Sequence, residues 1–374
     1  MKIIVIGTRG IPNIQGGVET HCEELYPRLI NLNYQIHLVR RTCYVPPKDK
    51  LTEYKGVHLT NLFTVRKITV ETLLHTFLAV LWARKQGADI LHVHAIGPGI
   101  FIPFARLLGL KVVFTHHGPD YNRAKWGPVA KFVLRLGERW GTATANEVIV
   151  ISEVIRELLE KKYKRFDTNL IFNGVTPPIF SERTDYIESL GLKPRKYVFT
   201  LGRFVEEKGF DLLIKAFNDL KQNEYRLVIA GDADHEIPYT KHLRKLASLN
   251  NVILPGFIKG QDLQQLFSHA RLFVLPSFHE GLPISLLEAM SYGLPVLVSD
   301  IPANKQILLP DNRYFVTGDE KSLRDSLSKD LLRDFKSVEY NMSKYDWDKI
   351  ALQTAAVYEK LRKQKNNGRS LPGN

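Results

Sequence analysis

The chain has 374 residues, 44% hydrophobic, 10% aromatic and 24% charged, which suits two domains of ordinary size and excludes wholesale disorder. Two cysteines, Cys22 and Cys43, cannot build a disulfide framework or a four-thiolate zinc site, so a reducing cytoplasm is the expected setting. The net charge of +13 is uneven: residues 1–180 carry 24 basic and 14 acidic side chains, the remainder 28 and 25. Such a first half attracts phosphorylated substrates, nucleic acid or anionic lipid, and charge alone does not choose among them.

The opening KIIVIG predicts a strand, and its four-residue apolar run is too short for a signal-peptide core. Helical periodicity over 18–31, a strand at QIHLVR, a helix over 70–85, strands at DILHVH and KVVFTH, a helix over 129–140, the strand EVIVIS and a helix over 155–164 follow. Alternating strands and helices predict a parallel sheet with helical cover. From 174 to 194 the chain becomes rich in Pro and charge, the pattern of a linker. The same grammar then restarts: YVFTLGR, 210–222, YRLVIAGD, 239–248, NVILPG, 262–269, LFVLPS, 284–292 and PVLVSD. Two doubly wound α/β domains are expected, 1–177 and 178–347, with a helix over about 348–364 packing back on the first and a flexible tail over 365–374. The more apolar later stretches are short or broken, so no spanning helix is expected.

Ligands of such sheets bind at the carboxyl ends of strands. After the first strand, Gly7-Thr-Arg-Gly10 and Gly16-Gly17-Val-Glu19-Thr20 open into a helix, where backbone amides and the helix N-terminus suit an anion. The spacing is not that of a nicotinamide fingerprint, although Arg40 and Arg41 after the second strand leave an NADP reading open. In the second half, Gly202-Arg203 and Lys208-Gly209 sit on a strand exit, where a guanidinium fork and an ammonium five residues apart can converge on two phosphates. Further on, Glu280-Gly281-Leu282-Pro283 follows a strand, and Glu288 lies within an apolar helical stretch. Both carboxylates can accept hydrogen bonds from sugar hydroxyls, and a Glu amid Leu286, Leu287, Ala289 and Met290 is costly to bury without a partner.

Glu280-x7-Glu288, with the Gly202-Arg203 to Lys208-Gly209 segment, Asn173-Gly174-Val175, Ala230-Gly231-Asp232 and Leu275-Pro276-Ser277, resembles the family 4 retaining glycosyltransferases of GT-B fold over nearly the whole chain. The opening Gly7-Thr-Arg-Gly-Ile-Pro and Gly16-Gly17-Val-Glu-Thr resemble a bacterial rhamnosyltransferase-like subgroup. The resemblance implies that Arg203 and Lys208 bind the donor diphosphate, Glu288 the ribose and Glu280 the transferred sugar. Gly281, Leu282 and Pro283 would present backbone to the donor, and Gly16 and Gly17 would close on its diphosphate. It also implies a sugar-facing His after the strand KVVFTH, for which His117 is the candidate, although the subgroup often has Asp-Gly where this chain has His117-Gly118.

Histidines gather at His92-Val-His94 and His116-His117. Zinc would need three or four converging donors and a second shell, and GT-B enzymes generally transfer without metal, so no metal and no cofactor is expected. Arg123, Lys125, Lys131, Arg135 and Arg139, interleaved with Trp126, Phe132, Leu136 and Trp140, suit an anionic lipid interface or, equally, an ordinary amphipathic helix. No nucleic-acid motif accompanies the charge. The combined expectation is a cytoplasmic retaining glycosyltransferase, peripheral at the inner face of the cell membrane. It would take a nucleotide diphosphate sugar as substrate and pass the sugar to a saccharide acceptor, lipid-linked, in surface polysaccharide synthesis. The alternatives are a GT-B sugar-nucleotide epimerase or phosphorylase and an NADP-dependent oxidoreductase.

Overall fold

The computed structural model describes residues 1–46, 49, 51–65, 70–123, 126–233 and 236–367, with backbone alone for 364–367. The chain forms two compact units. The first comprises Met1–Asn122, Trp126–Gly174 and the chain from Asp346 onward; the second contains Val175–Tyr345. The tail expected from 365 is helical to Asn367, and 368–374 lie outside the described residues, as does Lys125 of the basic segment.

The first unit holds β1 (Lys2–Ile6), β2 (Gln35–Arg41), β3 (Glu53–Tyr54), β4 (Val57–Leu62), β5 (Ile90–His94), β6 (Val112–His116), β7 (Glu147–Val150) and β8 (Asn169–Leu170). They pair in the order β3-β4-β2-β1-β5-β6-β7-β8, and only the β3–β4 hairpin is antiparallel. The hairpin was not expected. Its signal was Lys55-Gly56, both at positive φ (47° and 83°), which a tight two-residue turn of this hand requires. The parallel strands β5, β6 and β7 are buried along their whole length, and β1 from Ile3 on, because helices cover both faces, although His92, His94, Thr115, His116 and Glu147 interrupt their apolar runs. One of those helices is Trp347–Asn367: Trp347, Ile350, Tyr358 and Leu361 join Ile3, Leu25, Tyr26 and Leu38 in one buried cluster. Each such aliphatic side chain contributes about 1.5–3 kcal/mol by leaving water.

The second unit has β9 (Tyr197–Leu201), β10 (Arg226–Ala230), β11 (Leu272–Leu275), β12 (Val296–Ser299) and β13 (Tyr314–Phe315), all parallel, in the order β10-β9-β11-β12-β13. Two expectations are corrected. NVILPG is not a strand: Ile253 makes a single bridge to Val228, and Pro255, lacking an N–H, cannot continue the ladder, although Gly256 O still accepts the Gly231 N–H at 2.8 Å. The 174–194 segment is not all linker, because Asp185–Ser189 is helical, Ile187 and Leu192 are buried, and the Tyr186 N–H donates to Gln265 Oε1 at 2.9 Å.

Candidate active site

In the second unit the chain runs from β9 outward to β10, then returns to β11 and proceeds the other way, so strand order reverses between β9 and β11. A reversal opens a crevice beyond the carboxyl ends of the two strands, because their exit loops must diverge. The Arg203–Lys208 and Pro276–Glu280 loops are those two exits. They are tied together: the Phe278 N–H donates to Glu207 O at 2.8 Å. Gly209, at φ 63°, passes so close that a Cβ would lie 2.3 Å from Pro276 O. The rigid frame presents an ion pair, Lys208 Nζ to Glu280 Oε1 at 2.7 Å, with Ser277 Oγ donating to the same oxygen at 2.6 Å. Lys208 and Glu280 side chains are 16% and 11% exposed, so the pair is sheltered yet reachable.

Leu282 and Pro283 are buried, and Gln306 Nε2 donates to Gly281 O at 3.3 Å, which fixes the loop leading into the helix Ile284–Ser291. Glu288 is half-buried on that helix and Arg203 half-buried after β9. Thus Lys208 and Glu280 are in contact, while Arg203 and Glu288 flank them in sequence and in element.

In the first unit the order reverses between β1 and β5. Gly7, at φ 98°, lies against the end of β5, where a Cβ would stand 2.2 Å from His94 O. Glu19, in the first turn of the helix Gly17–Asn31, organises the glycine loop by accepting from Thr8 Oγ1 at 3.2 Å and the Arg9 N–H at 3.0 Å. Gly16 is pressed on that carboxylate, whereas Gly17 is exposed with open space where a Cβ would be. Arg40 and Arg41 are buried and committed: Arg40 to Asn61 (2.8 Å) and Asp49 (2.9 Å), Arg41 to Glu71 (3.0 Å). An NADP phosphate would have to displace those partners.

The exits of β5 and β6 carry the histidines. His94 Nδ1 faces His117 Nε2 at 2.9 Å, and His21, from the Gly17–Asn31 helix, stacks edge-on to both rings with centroids 5.5 and 5.0 Å away. Burial lowers His21 to about 4, partly offset by its Asn173 hydrogen bond. Burial, then the neighbouring imidazoles, hold His94 and His117 well below the ordinary histidine value, so all three are neutral at neutral pH. Asn173-Gly174 has a local task here: Asn173 Oδ1 accepts from His21 Nδ1 at 3.0 Å, and Gly174 leaves room for Trp347, whose ring would be 2.5 Å from a Cβ.

Sequence reasoning missed a buried hub beneath β6. Glu138, on the helix Pro128–Thr144, accepts from His116 Nε2 (3.0 Å), Lys162 Nζ (2.6 Å), Tyr163 Oη (2.6 Å) and Tyr121 Oη (3.2 Å). His116 Nδ1 in turn accepts the Gly118 N–H at 3.1 Å, which fixes the backbone on either side of His117. The only signal in the sequence was an acidic residue on an otherwise basic helix.

Two parallel α/β units, each with its polar exits at a strand-order reversal, define the GT-B class of architecture. The Glycosyltransferase Family 4 model matches residues 15–177, and the model "Glycosyl transferases group 1" matches residues 182–341. An uncharacterized glycosyltransferase of Methanocaldococcus jannaschii is 25% identical, over 96% of this chain and 98% of its own. UDP-Gal:alpha-D-GlcNAc-diphosphoundecaprenol alpha-1,3-galactosyltransferase of Escherichia coli is 30% identical over 59% of this chain and 60% of its own. Among solved structures, sucrose-phosphate synthase from Thermosynechococcus elongatus superposes with a TM-score of 0.80 at 21% identity, covering 97% of this chain and 99% of that one. The chain belongs to the GT-B glycosyltransferase superfamily, enzymes that draw on nucleotide-sugar donors. Among the described residues no helix is long and apolar enough to cross a membrane.

Proposed function

We propose that this enzyme transfers a hexosyl or deoxyhexosyl group from a nucleotide diphosphate donor, with retention of anomeric configuration, to a lipid-linked saccharide bound for a surface polysaccharide. The observation that carries the reading is the sheltered Lys208–Glu280 pair at the strand-order reversal, a cation and a hydroxyl acceptor within 2.7 Å of each other. Arg203 and Lys208 take the diphosphate, Glu280 the transferred sugar and Glu288 the ribose, while backbone at Gly281, Leu282 and Pro283 meets the donor. In the first unit, Gly16 and Gly17 serve the diphosphate and His117 the sugar. As the anomeric carbon–oxygen bond breaks, the acceptor oxygen bonds to the same face and passes its proton to the departing phosphate oxygen. No carboxylate nucleophile and no metal at the diphosphate is needed, since fixed cations offset the developing charge. The opening glycine segment supports a deoxyhexose such as rhamnose, and the Escherichia coli relative's diphosphoundecaprenol substrate supports the lipid-linked acceptor.

The test is a panel of UDP-, GDP- and dTDP-sugars with a saccharide-diphosphate-lipid acceptor, reading the product's anomeric coupling by NMR. Turnover with retention is expected; an inverted product, or none with any donor, overturns the reading.

The helix Pro128–Thr144 supports peripheral docking on anionic lipid. Val129 and Phe132 are 77% and 65% exposed, where an ordinary amphipathic helix would bury them, and Arg135 and Arg139 are exposed on the same helix. Each basic residue near such a surface contributes about 1 kcal/mol. Cosedimentation with phosphatidylglycerol vesicles is expected to weaken roughly 30-fold in a Lys131→Glu/Arg135→Glu variant, and to weaken with salt. Binding indifferent to both assigns the exposed apolar residues another role.

A further inference from the structure

We infer that His21, His94 and His117 form a site for a divalent transition metal that prefers imidazole, Zn2+ first among them. Three ring nitrogens, one from each residue, lie within 4.8 Å of one another, brought together from a helix and two strand exits that the reversal between β1 and β5 places side by side. This is the convergence of donors that zinc requires and that spacing in sequence cannot display. A tetrahedral zinc with Zn–N of about 2.0–2.1 Å wants ligand nitrogens about 3.3 Å apart, so the cluster needs rotations of about an ångström to close.

The ring positions are already set from behind, as metal-binding histidines demand. Asn173 Oδ1 accepts from His21 Nδ1, which leaves the Nε2 lone pair for the metal. Tyr26 Oη lies 2.5 Å from His94 Nε2, so a proton there donates to Tyr26 and Nδ1, facing His117, becomes the ligand. Tyr26 Oη also contacts His92 Nδ1 at 3.0 Å, and His92 Nε2 is tied to Thr115 Oγ1 at 2.7 Å, which extends the support one layer deeper. His117 ligates through Nε2, its proton moving to Nδ1 of the same ring, so in the metal-bound form the metal's fourth position, and not the ring itself, meets the sugar hydroxyl that the proposed function gives to His117. His21 and His94 are buried and His117 is half-buried, so the metal has a route in and a fourth position for water or a hydroxyl.

The test uses the full-length, chelator-stripped protein titrated with Zn2+ against a chromophoric chelator, and with Co2+ while recording visible d–d bands. One equivalent of Zn2+ and a four-coordinate Co2+ spectrum are expected. His117→Ala, the half-buried ligand and the substitution easiest to tolerate, is expected to lower affinity at least 100-fold with thermal unfolding unchanged within a few degrees. Asn173→Ala, which frees His21 to rotate, is expected to lower it about 10–100-fold. His58→Ala, exposed on β4 with its ring centroid 4.7 Å from that of half-buried His37 on β2, is the control and leaves binding intact. Binding that survives His117→Ala, that disappears with His58→Ala, or that shows only a six-coordinate Co2+ spectrum overturns the assignment.

Discussion

On the proposed assignment, replacing Lys208 with alanine is expected to lower sugar transfer by about 100-fold or more, and replacing Arg203 to do the same, with little change in the midpoint of thermal unfolding. The Lys208 ammonium sits at the end of a strand exit whose backbone is held by Gly209 against Pro276 and by the Phe278–Glu207 hydrogen bond, so truncating the side chain leaves the frame standing. What is lost is a charge fixed where the leaving diphosphate gains charge, an interaction stronger in the transition state than in the ground state. The fall is therefore expected in kcat as well as kcat/KM. The Lys208–Glu280 contact adds a sharper expectation: Glu280→Gln keeps the acceptor oxygen but releases the ammonium, so it raises diphosphate affinity while lowering transfer. Steady-state kinetics and calorimetry with free nucleoside diphosphate separate the two effects. Turnover within threefold of the wild type in the Arg203→Ala/Lys208→Ala double variant would sink the assignment.

Glu138→Ala is expected to destabilise the first unit by about 3–5 kcal/mol, the cost of removing one member of a buried charged network. Glu138 and His116 side chains are fully buried, and Lys162, 37% exposed, would lose its carboxylate partner at 2.6 Å. Denaturant unfolding followed by tryptophan fluorescence measures the loss, and a change below about 1 kcal/mol would show that the hub is not stabilising. The pH dependence carries the sign. Burial alone would raise the Glu138 carboxyl, but the hydrogen bonds from His116, Lys162 and Tyr163 outweigh it and hold it at about 2. A carboxyl lower in the folded than in the unfolded state contributes stability that is complete above the ordinary value of 4.5 and fades as pH falls toward about 2. Glu138→Gln removes that slope. Equal acid limbs for the two proteins across that window would locate the titration elsewhere.

Much of the architecture was legible because a parallel sheet writes itself locally. KIIVIG, DILHVH and KVVFTH are short, mostly apolar runs, each ending in a glycine or a polar exit, so strands, helices and the two-unit division could be read without any contact. The Lys208 and Glu280 loops could likewise be placed at strand exits, since each follows an apolar run and a strand exit is where such a fold exposes polar groups. NVILPG shows the limit: its apolar run is a strand by composition, but the ladder beside β10 takes only Ile253 before Pro255 removes the next donor.

Pairing was the business of the tertiary structure. Lys208 and Glu280 are 72 residues apart, and their ion pair follows from β9 and β11 being neighbours, a matter of strand order that no single segment encodes. In the sequence His21 is one polar residue on an amphipathic helical stretch, and Glu138 a lone acid among bases. Their roles arise from residues 94, 117, 116 and 162, which the fold brings beside them. Periodicity is a short-range property of backbone geometry and solvent exposure, and it is visible along the chain. Convergence of side chains depends on which strands become neighbours, which is settled by burying apolar faces across the whole unit, and so it is visible only once the chain is folded.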